Sequence, residues 1–324
     1  MDRRKRRAIA LTLALAAQVV LPAAHAEDYP TRPVRIIVGF IPGSSADITA
    51  RVVGQRMGQI LGRQLVVENK SGAGSSLAAE YVARSAKDGY TLFLGSSANI
   101  TNAAINPNLA FDMVKDFAPI ALVTTATVIL VAHPSIGVGS LQELIELAKS
   151  KPGEVLYAST GVGTAPHLSG ELLAMRAGLK LVHVPYQGSP QAVTDLLARR
   201  TSIMFSPASA VVAQVETGKL KALASAAAKR PSIAPNLPTM AEAGMPDFDT
   251  SIWFGLMAPA DTPREIVDKL ARAAGDALKS SEVLASLHPQ GFDALSGGPQ
   301  DFAKTIQSEL KRWGEVAQAA GLKK

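Results

Sequence analysis

Residues 29–51, YPTRPVRIIVGFIPGSSADITAR, decide the fold class of this chain. Residues 34–40 form an almost continuous apolar run, which is typical of a strand buried on both faces in a parallel sheet. A loop of Pro, Gly and Ser follows. Ser44 with Asp47 three residues later then resembles a capping box that opens a helix. A strand, a small-residue loop and a helix in this order are the repeating unit of an α/β protein.

The loop of this unit has the chemistry of an anion site. Backbone N–H groups at a helix start have no partners within the helix, and they lie at the positive end of the helix dipole. Residues 40–45 contain no Lys, Arg or His and no obvious catalytic group. The loop is therefore predicted to hold a ligand and not to transform one. For Asp47, helix capping is favoured over ligand contact.

The same pattern recurs along the chain. Further strands are predicted to run into Gly-, Ser-, Thr- or Asn-rich loops and then into helices, with loops at residues 69–76, 95–99, 159–164, 185–189 and 206–209. Repeated units of this kind predict parallel sheets with right-handed crossovers, and ligands of such sheets bind at the carboxyl ends of the strands. Two apolar extended stretches, residues 120–132 and 251–258, are predicted to cross between two lobes.

The N-terminus has the pattern of an export signal. Five basic residues at positions 3–7 precede a short apolar run at 8–21, and Ala24-His25-Ala26 supplies small residues at −3 and −1. We expect residues 1–26 to be a signal peptide cleaved near Ala26, which predicts a periplasmic protein. A membrane anchor is the less favoured alternative, because the run is shorter than the roughly 20 residues of a spanning helix.

Charge and composition narrow the function classes. The chain has 33 basic and 27 acidic residues, but without residues 1–26 the counts are 28 and 26. A nucleic-acid partner would need a basic patch or stripe, and none is evident, so no such partner is predicted. The chain has no Cys, which excludes thiol catalysis and Cys-ligated metals. The 298 residues after the predicted cleavage site suggest two domains.

Enzyme motifs are incomplete. Ser159 has Tyr157 where a nucleophile elbow needs Gly, and Gly218-Lys219 lacks the rest of a phosphate-binding loop. Gly161-Val162-Gly163 does not complete a dinucleotide fingerprint. No catalytic residue and no cofactor are therefore predicted.

The histidines do not predict a metal site. His167 and Glu171 lie at helical i, i+4 spacing, but a metal needs more ligands than that pair. The alternative for His167 is a hydrogen-bonding role at the cleft rim. His183 lies in a predicted strand and is interpreted as a buried, hydrogen-bonded histidine more readily than as a base.

Longer segments of the chain carry a family resemblance. They include TRPVRIIVGFIPGSSAD (31–47), VVENKSGAGSSLAAEYVARSAKDGYTLFLG (66–95), LQELIELAKSKPGEVLYASTGVGTAPHLSGELL (141–173), HVPYQG (183–188) and WFGLMAPADTP (253–263). In this order they resemble the Bug family of periplasmic solute receptors, which belong with the receptors of tripartite tricarboxylate transporters. The resemblance implies a type II periplasmic-binding-protein fold, in which two α/β lobes joined by a two-crossing hinge surround one ligand. Lobe 1 would comprise residues 27–127 with 250–324, and lobe 2 residues 128–249.

The resemblance also implies ligand contacts, mostly in the loops described above. The implied ligand-binding residues are Phe40, Ile41, Gly43, Ser44, Ser45, Ser97, Asn99, Ser159, Thr160, Gly163, Thr164, His167, Tyr186, Gln187, Gly188 and Ser206. In the family, backbone groups and ordered waters hold much of the ligand carboxylate. Trp253 and Phe254 are either an apolar wall of the site or part of the hinge core.

This chain departs from the family pattern at two places. Ser44-Ser45 replaces a usual Gly-Gly pair, which adds hydroxyls to the first loop. Ser206-Pro207 stands where many members have Phe-Asp-Asn. Loss of that acidic group weakens the case for a ligand that carries an ammonium, such as an amino acid.

The sequence thus predicts an exported, monomeric receptor for a small organic carboxylate, without enzymatic activity, metal or cofactor. Its partners would be that ligand and the membrane subunits of a tripartite tricarboxylate transporter. Two alternatives stay open. An exported sensory receptor that presents its ligand to a membrane signalling protein would share this fold and site. An exported hydrolase is less favoured, because no nucleophile has a plausible base beside it.

Overall fold

The computed structural model describes residues 29–106, 108–231 and 233–319. The predicted signal peptide lies outside these ranges. Within them, the chain folds into two β-sheets, each covered by helices. None of the helices in these ranges is long and apolar enough to cross a bilayer.

The first half of the chain alternates strands and helices. Its elements are β1 (Val34–Val38), α1 (Ser45–Leu61), β2 (Leu65–Asn69), α2 (Ser76–Ala83), β3 (Thr91–Ser96), α3 (Ser97–Ile105), β4 (Phe117–Ala126), β5 (Val128–Ala132), α4 (Leu141–Ser150), β6 (Leu156–Ser159) and α5 (Ala165–Ala177).

The second half continues the alternation and ends in a long helix. Its elements are β7 (Val182–Pro185), α6 (Ser189–Leu197), β8 (Ile203–Pro207), α7 (Ala208–Glu216), β9 (Lys221–Ser225), β10 (Ile252–Pro259), α8 (Arg264–Leu278), α9 (Ser281–Leu287), β11 (Phe292–Gly297) and α10 (Pro299–Ala319).

Helix boundaries follow from local chemistry. Ser44 is the N-cap of α1, and its hydroxyl accepts the Asp47 N–H at 3.3 Å. Ser140 caps α4 in the same way through the Glu143 N–H. Helix α5 ends at Gly178 in the left-handed conformation, which glycine adopts without steric cost.

Sheet 1 has six strands in the order β11-β4-β10-β3-β1-β2, and sheet 2 has five in the order β7-β6-β8-β5-β9. Strand β1 is fully sandwiched, because it pairs in parallel with both β2 and β3. This position explains its nearly continuous apolar sequence.

The repeated units predicted parallel sheets, but each sheet also contains antiparallel pairs. In sheet 1, β10 runs antiparallel to both of its neighbours, β3 and β4, and β11 runs antiparallel to β4. In sheet 2, β5 runs antiparallel to β8 and β9. The reversed strands β5 and β10 are those that the chain enters when it passes from one sheet to the other, without the helical crossover that forces a parallel pair.

The chain passes between the sheets twice. The first passage is short, because only Thr127 separates β4 of sheet 1 from β5 of sheet 2. The second passage runs from β9 of sheet 2 to β10 of sheet 1 and includes Thr250, whose N–H is bonded to the Ala226 carbonyl. We call the two halves lobe 1, built on sheet 1, and lobe 2, built on sheet 2. The two passages lie beside each other, because Ile252 pairs with Ala126 and the Ala226 N–H is bonded to the Val128 carbonyl.

Candidate functional site

A cavity lies between the two lobes. Five helices begin beside it, namely α1 and α3 from lobe 1 and α5, α6 and α7 from lobe 2. The lining residues are Phe40, Ser44, Ser45, Ala46, Ser96, Ser97, Ala98, Thr160, Thr164, Ala165, Pro166, Gly188, Ser189, Pro207, Ile252 and Phe254.

The Asp47 side chain holds the first loop, residues 40–45, from the side away from the cavity. Its carboxylate accepts the Gly43 N–H and the Asn69 side-chain amide, each at 2.9 Å, and forms an ion pair with Arg51. Burial opposes ionisation, but the bonds from Arg51, Gly43 and Asn69 outweigh it and lower the pKa of Asp47. Asp47 therefore orders the start of α1 and does not line the cavity, in agreement with its predicted structural role.

The start of α3 is the second part of the cavity wall that lobe 1 supplies. Residues 95–99 were expected to form a loop, but β3 continues to Ser96 and α3 begins at Ser97. Asn99 makes this abrupt change possible, because its Oδ1 accepts the Ser96 N–H at 3.0 Å and closes a capping box. Asn99 is thus a buried support behind the wall of the cavity.

Ser97 differs from its neighbours in having an unused hydroxyl. Its side chain lines the cavity and is only 3% exposed, yet its Oγ has no hydrogen-bond partner among the described residues. A buried polar group without a partner is costly. A ligand oxygen or a water in the cavity would satisfy it.

In lobe 2, the loop 159–164 presents Thr160 and Thr164 to the cavity. Ser159 lies beneath this loop, where its Oγ accepts the Gly161 N–H at 3.2 Å and lies 2.6 Å from His183 Nε2. Burial, with the nearby His167, lowers the pKa of His183 to about 4. His183 is therefore neutral at ordinary pH. It is hydrogen-bonded, as the sequence predicted, but it is only partly buried.

His167 also supports this loop from behind. The Gly163 N–H donates to His167 Nδ1 at 3.2 Å, and the imidazole stacks on that of His183 with centroids 4.2 Å apart. Burial lowers the pKa of His167, although Glu171 acts in the opposite direction. Among the described residues, no group of three or more His, Cys, Asp or Glu is placed to bind a metal.

The loop before α6 contributes Gly188 and Ser189 to the cavity. Tyr186 and Gln187 precede them but point elsewhere. The Tyr186 hydroxyl donates to Asp195 Oδ2 at 2.8 Å, and burial, together with that bond, raises its pKa to about 12. Gln187 is exposed to solvent. Sequence alone could not place these side chains, because neighbouring loop residues can face opposite ways.

The remaining walls are apolar. Pro207 lines the cavity, while Ser206 is fully buried in β8 and donates to the Pro207 carbonyl at 3.1 Å. Phe254 and Ile252 of β10 also line the cavity. Trp253 faces the other side of the sheet, where its ring meets Phe302 edge-on at 5.3 Å. The alternation of side chains along a strand explains this difference.

Seven of the predicted ligand-binding residues line the cavity, and they come from four separate loops. They are Phe40, Ser44, Ser45, Ser97, Thr160, Thr164 and Gly188. The other predicted residues lie around this wall or support it: Ile41, Gly43, Asn99, Ser159, Gly163, His167, Tyr186, Gln187 and Ser206. Sequence reasoning missed two polar residues, Ser96 and Ser189, although each flanks a predicted helix start.

The two lobes touch each other around the cavity. Ser45 Oγ in lobe 1 lies 2.9 Å from Ser209 Oγ in lobe 2. Thr101 of α3 donates its hydroxyl hydrogen to the carbonyl oxygen of Gly163. Ile41 packs so closely on Gly188 that a Cβ at Gly188 would lie 2.9 Å from Ile41 Cγ1. The cleft is therefore closed in this structure.

The electrostatics of the cavity come from backbone and hydroxyl groups. None of its lining residues is Lys, Arg, His, Asp or Glu. Helices α1, α3, α5, α6 and α7 all begin there, so their N-terminal dipoles favour an anion in a site without charged side chains. The arrangement can bind an anionic ligand. The expectation that no nucleophile has a base beside it was wrong, because Ser159 Oγ lies 2.6 Å from His183 Nε2. Ser159 is fully buried, however, and neither residue is part of the cavity lining.

The sequence profile of the tripartite tricarboxylate transporter family receptor matches residues 49–322. The chain belongs to this family. The receptor is 36% identical over 300 residues to protein BugT of Bordetella pertussis, covering 92% of each chain. Both findings confirm the predicted resemblance to the Bug receptors.

Solved structures of similar proteins support the two-lobe fold. Periplasmic binding protein BugD is 32% identical with a TM-score of 0.88, covering 91% of the receptor and 99% of BugD. Rpa4515 of R. palustris, solved with adipate, is 34% identical with a TM-score of 0.87, covering 91% and 99%. MatC of Rhodopseudomonas palustris, solved with malate, is 34% identical with a TM-score of 0.84, covering 89% and 99%. The receptor thus has the periplasmic-binding-protein fold of a solute receptor.

Proposed function

We propose that this receptor captures a small organic carboxylate in the cavity between its lobes and delivers it to the membrane subunits of a tripartite tricarboxylate transporter. The observation that carries the proposal is the meeting of five helix N-termini around a cavity lined by no charged side chain. Such a site neutralises an anion with fixed dipoles. Adipate and malate in the structures of two relatives support a carboxylate as the ligand class.

The ligand-contacting groups in this proposal are the residues on the cavity wall. Ser44, Ser45, Ser96 and Ser97 approach the ligand from lobe 1, and Thr160, Thr164 and Ser189 from lobe 2. Phe40, Phe254, Ile252, Pro166 and Pro207 provide an apolar lining for the carbon chain. Bound water can complete the contacts, since it bridges polar groups at little cost.

Three further features belong to the same proposal. Residues 1–26 are removed on export, so that the mature receptor begins at Glu27 and works in the periplasm. Residues 27–127 with 250–324 form lobe 1, and residues 128–249 form lobe 2. The receptor acts as a monomer and does not catalyse a reaction.

Thermal unfolding of the purified mature receptor tests the ligand class. Mono-, di-, tri- and aromatic carboxylates, with adipate and malate among them, are added one at a time. A ligand that binds only the native state stabilises it by about 2.7 kcal/mol at a hundredfold excess over its Kd. We expect a rise in Tm with one chemical class, confirmed by titration calorimetry. No shift with the whole panel would contradict the proposal.

A further inference from the structure

His167 lies at the start of a chain of contacts that leads from lobe 2 to lobe 1. The Gly163 N–H donates to His167 Nδ1 at 3.2 Å, and the carbonyl oxygen of the same Gly163 accepts the hydroxyl of Thr101 from the opposite lobe. Gly163 has a φ of +78°, a left-handed conformation that glycine adopts without steric cost. One residue is thus held by a histidine on one side and forms a contact across the cleft on the other.

The hydrogen bond fixes the protonation state of the imidazole. A backbone N–H can only donate, so Nδ1 of His167 must be an unprotonated acceptor and the hydrogen of the neutral ring must be on Nε2. A second proton could enter only at Nδ1. Two N–H groups would then face each other, and the bond to Gly163 would be lost.

The groups around His167 favour its neutral form. His183 stacks on one face at 4.2 Å, and Glu171 Oε1 lies 3.8 Å from Nε2. Tyr157 donates its hydroxyl to that same Glu171 oxygen at 2.5 Å, so the carboxylate is already engaged. Burial keeps the pKa of His167 below its ordinary value despite the pull of Glu171.

We propose that His167 is a positioning residue for ligand capture: its unprotonated Nδ1 holds Gly163 where the Gly163 carbonyl receives Thr101, so that closure of the cleft requires neutral His167. The proposal rests on the ligand-capture function proposed above, but it concerns the movement of the lobes and not the identity of the ligand. It assigns His167 to the closing mechanism instead of the cavity wall, on which it does not lie.

Closure can be measured without a ligand by disulfide trapping. The chain has no cysteine of its own, and Ser45 Oγ and Ser209 Oγ lie 2.9 Å apart across the cleft. The double variant Ser45→Cys/Ser209→Cys should therefore cross-link on mild oxidation when the lobes are closed. The rate is measured in this parent pair and in the same pair carrying His167→Leu or His167→Asn, all at pH 7.5.

We expect His167→Leu to slow cross-linking at least fivefold, because it removes the acceptor of the Gly163 N–H. The Asn side chain places an amide oxygen near the position of Nδ1, so His167→Asn should restore the rate to within about twofold of the parent. His133→Leu is the matched control. It removes another imidazole that accepts a backbone N–H, from Ser135 at 3.1 Å, but far from the cleft, and it should leave the rate unchanged.

The dependence of Tm on pH is a second measurement, and a mere loss of packing at position 167 would not change it. Asn does not titrate, so the Tm of His167→Asn should fall less than that of the wild type between pH 7.5 and 4.5. This comparison of the wild type with His167→Asn still tests the proposal if His167→Leu fails to fold. Equal cross-linking rates in all variants, no cross-linking in the parent pair, or parallel Tm profiles would each overturn the proposal. A carboxylate panel without effect on the wild type would count against the proposed function alone.

Discussion

Gly74 of lobe 1 lies directly against the carbonyl oxygen of Val162 in lobe 2, so close that a Cβ at Gly74 would come within 2.5 Å of that oxygen. The contact lies beside the Thr101–Gly163 contact, and both depend on backbone that approaches from opposite lobes. The closed cleft therefore has room for glycine at position 74 and for nothing larger.

Gly74→Ala should hinder closure and weaken ligand binding at least tenfold. The added methyl would overlap the Val162 oxygen when the lobes close, and it would also lie 2.7 Å from Asn102 Nδ2 of its own lobe, a side chain that must then shift. Gly74 has a φ of +60°, so the substitution also costs about 1–2 kcal/mol of backbone strain in the closed conformation. Gly62→Ala is the control, because Gly62 has a φ of +70° and open space around it. Equal affinities of the two variants, measured by calorimetry, would contradict the steric explanation.

Ser97→Ala should weaken carboxylate binding about tenfold or more without lowering the Tm of the free receptor. A hydrogen bond to a charged group contributes about 1.5–3 kcal/mol, while the Ser97 hydroxyl has no partner among the described residues to lose. Ser44→Ala is the contrasting variant, because it removes the N-cap of α1 and should cost about 1 kcal/mol of stability. Calorimetry measures the loss of affinity, and thermal melts measure the loss of stability. If Ser97→Ala bound the ligand as tightly as the wild type, Ser97 would not be a ligand-binding residue.

Affinity for a carboxylate should be nearly constant from about pH 6 to 9. The cavity wall has no titrating side chain, and a carboxylic ligand stays ionised above about pH 5. Burial lowers the pKa of His183 to about 4, so His183 stays neutral in this window, and burial also lowers the pKa of His167, which disfavours its protonation. Titration calorimetry at several pH values provides the measurement. A tenfold fall between pH 6 and 8 would indicate a protonated histidine in contact with the ligand.

The same lowered pKa values predict a loss of stability in acid. In the unfolded chain these histidines take up protons near pH 6.5, whereas His183 in the folded receptor resists protonation until about pH 4. The unfolded state therefore binds more protons in between, and the free energy of unfolding should fall as pH drops through this range. His183→Asn, followed by denaturant unfolding, should fall less steeply than the wild type; identical slopes would show that His183 titrates normally.

Ser206→Asp should lower the Tm and weaken binding of an anionic ligand. Ser206 is fully buried beside Pro207 of the cavity wall, so a carboxylate there would lack water and would repel the ligand. Two like charges at ~4 Å interact by about 4 kcal/mol at an effective dielectric near 20. Ser206→Ala is the control, since it loses only the bond to the Pro207 carbonyl. Unchanged affinity in a folded Asp variant would show that position 206 does not influence the ligand.

The mature receptor should begin at Glu27. Ala24 and Ala26 occupy the positions that a signal peptidase reads. Intact-mass analysis of receptor taken from the periplasm checks the cleavage site. Recovery of uncleaved protein in the membrane fraction would contradict the export prediction.

Local sequence determined the strands and helices and the loops where strands end and helices begin. Residues 34–40 predicted a buried strand and Ser44 predicted a helix start; both signals act over a few residues. Because each helix start was predicted from its own loop, the sequence also predicted that the site would be built from small polar loops without cations.

The tertiary structure alone decided which groups face the cavity and which lie behind it. Tyr186 turns to Asp195, His167 turns to the Gly163 N–H, and Ser97 Oγ has no partner among the described residues, and none of these outcomes follows from the residue type alone. The antiparallel direction of β10 could not be predicted either, because an apolar run is compatible with a parallel or an antiparallel strand. Side-chain orientation and strand direction are settled by long-range packing, and a local pattern carries no information about them.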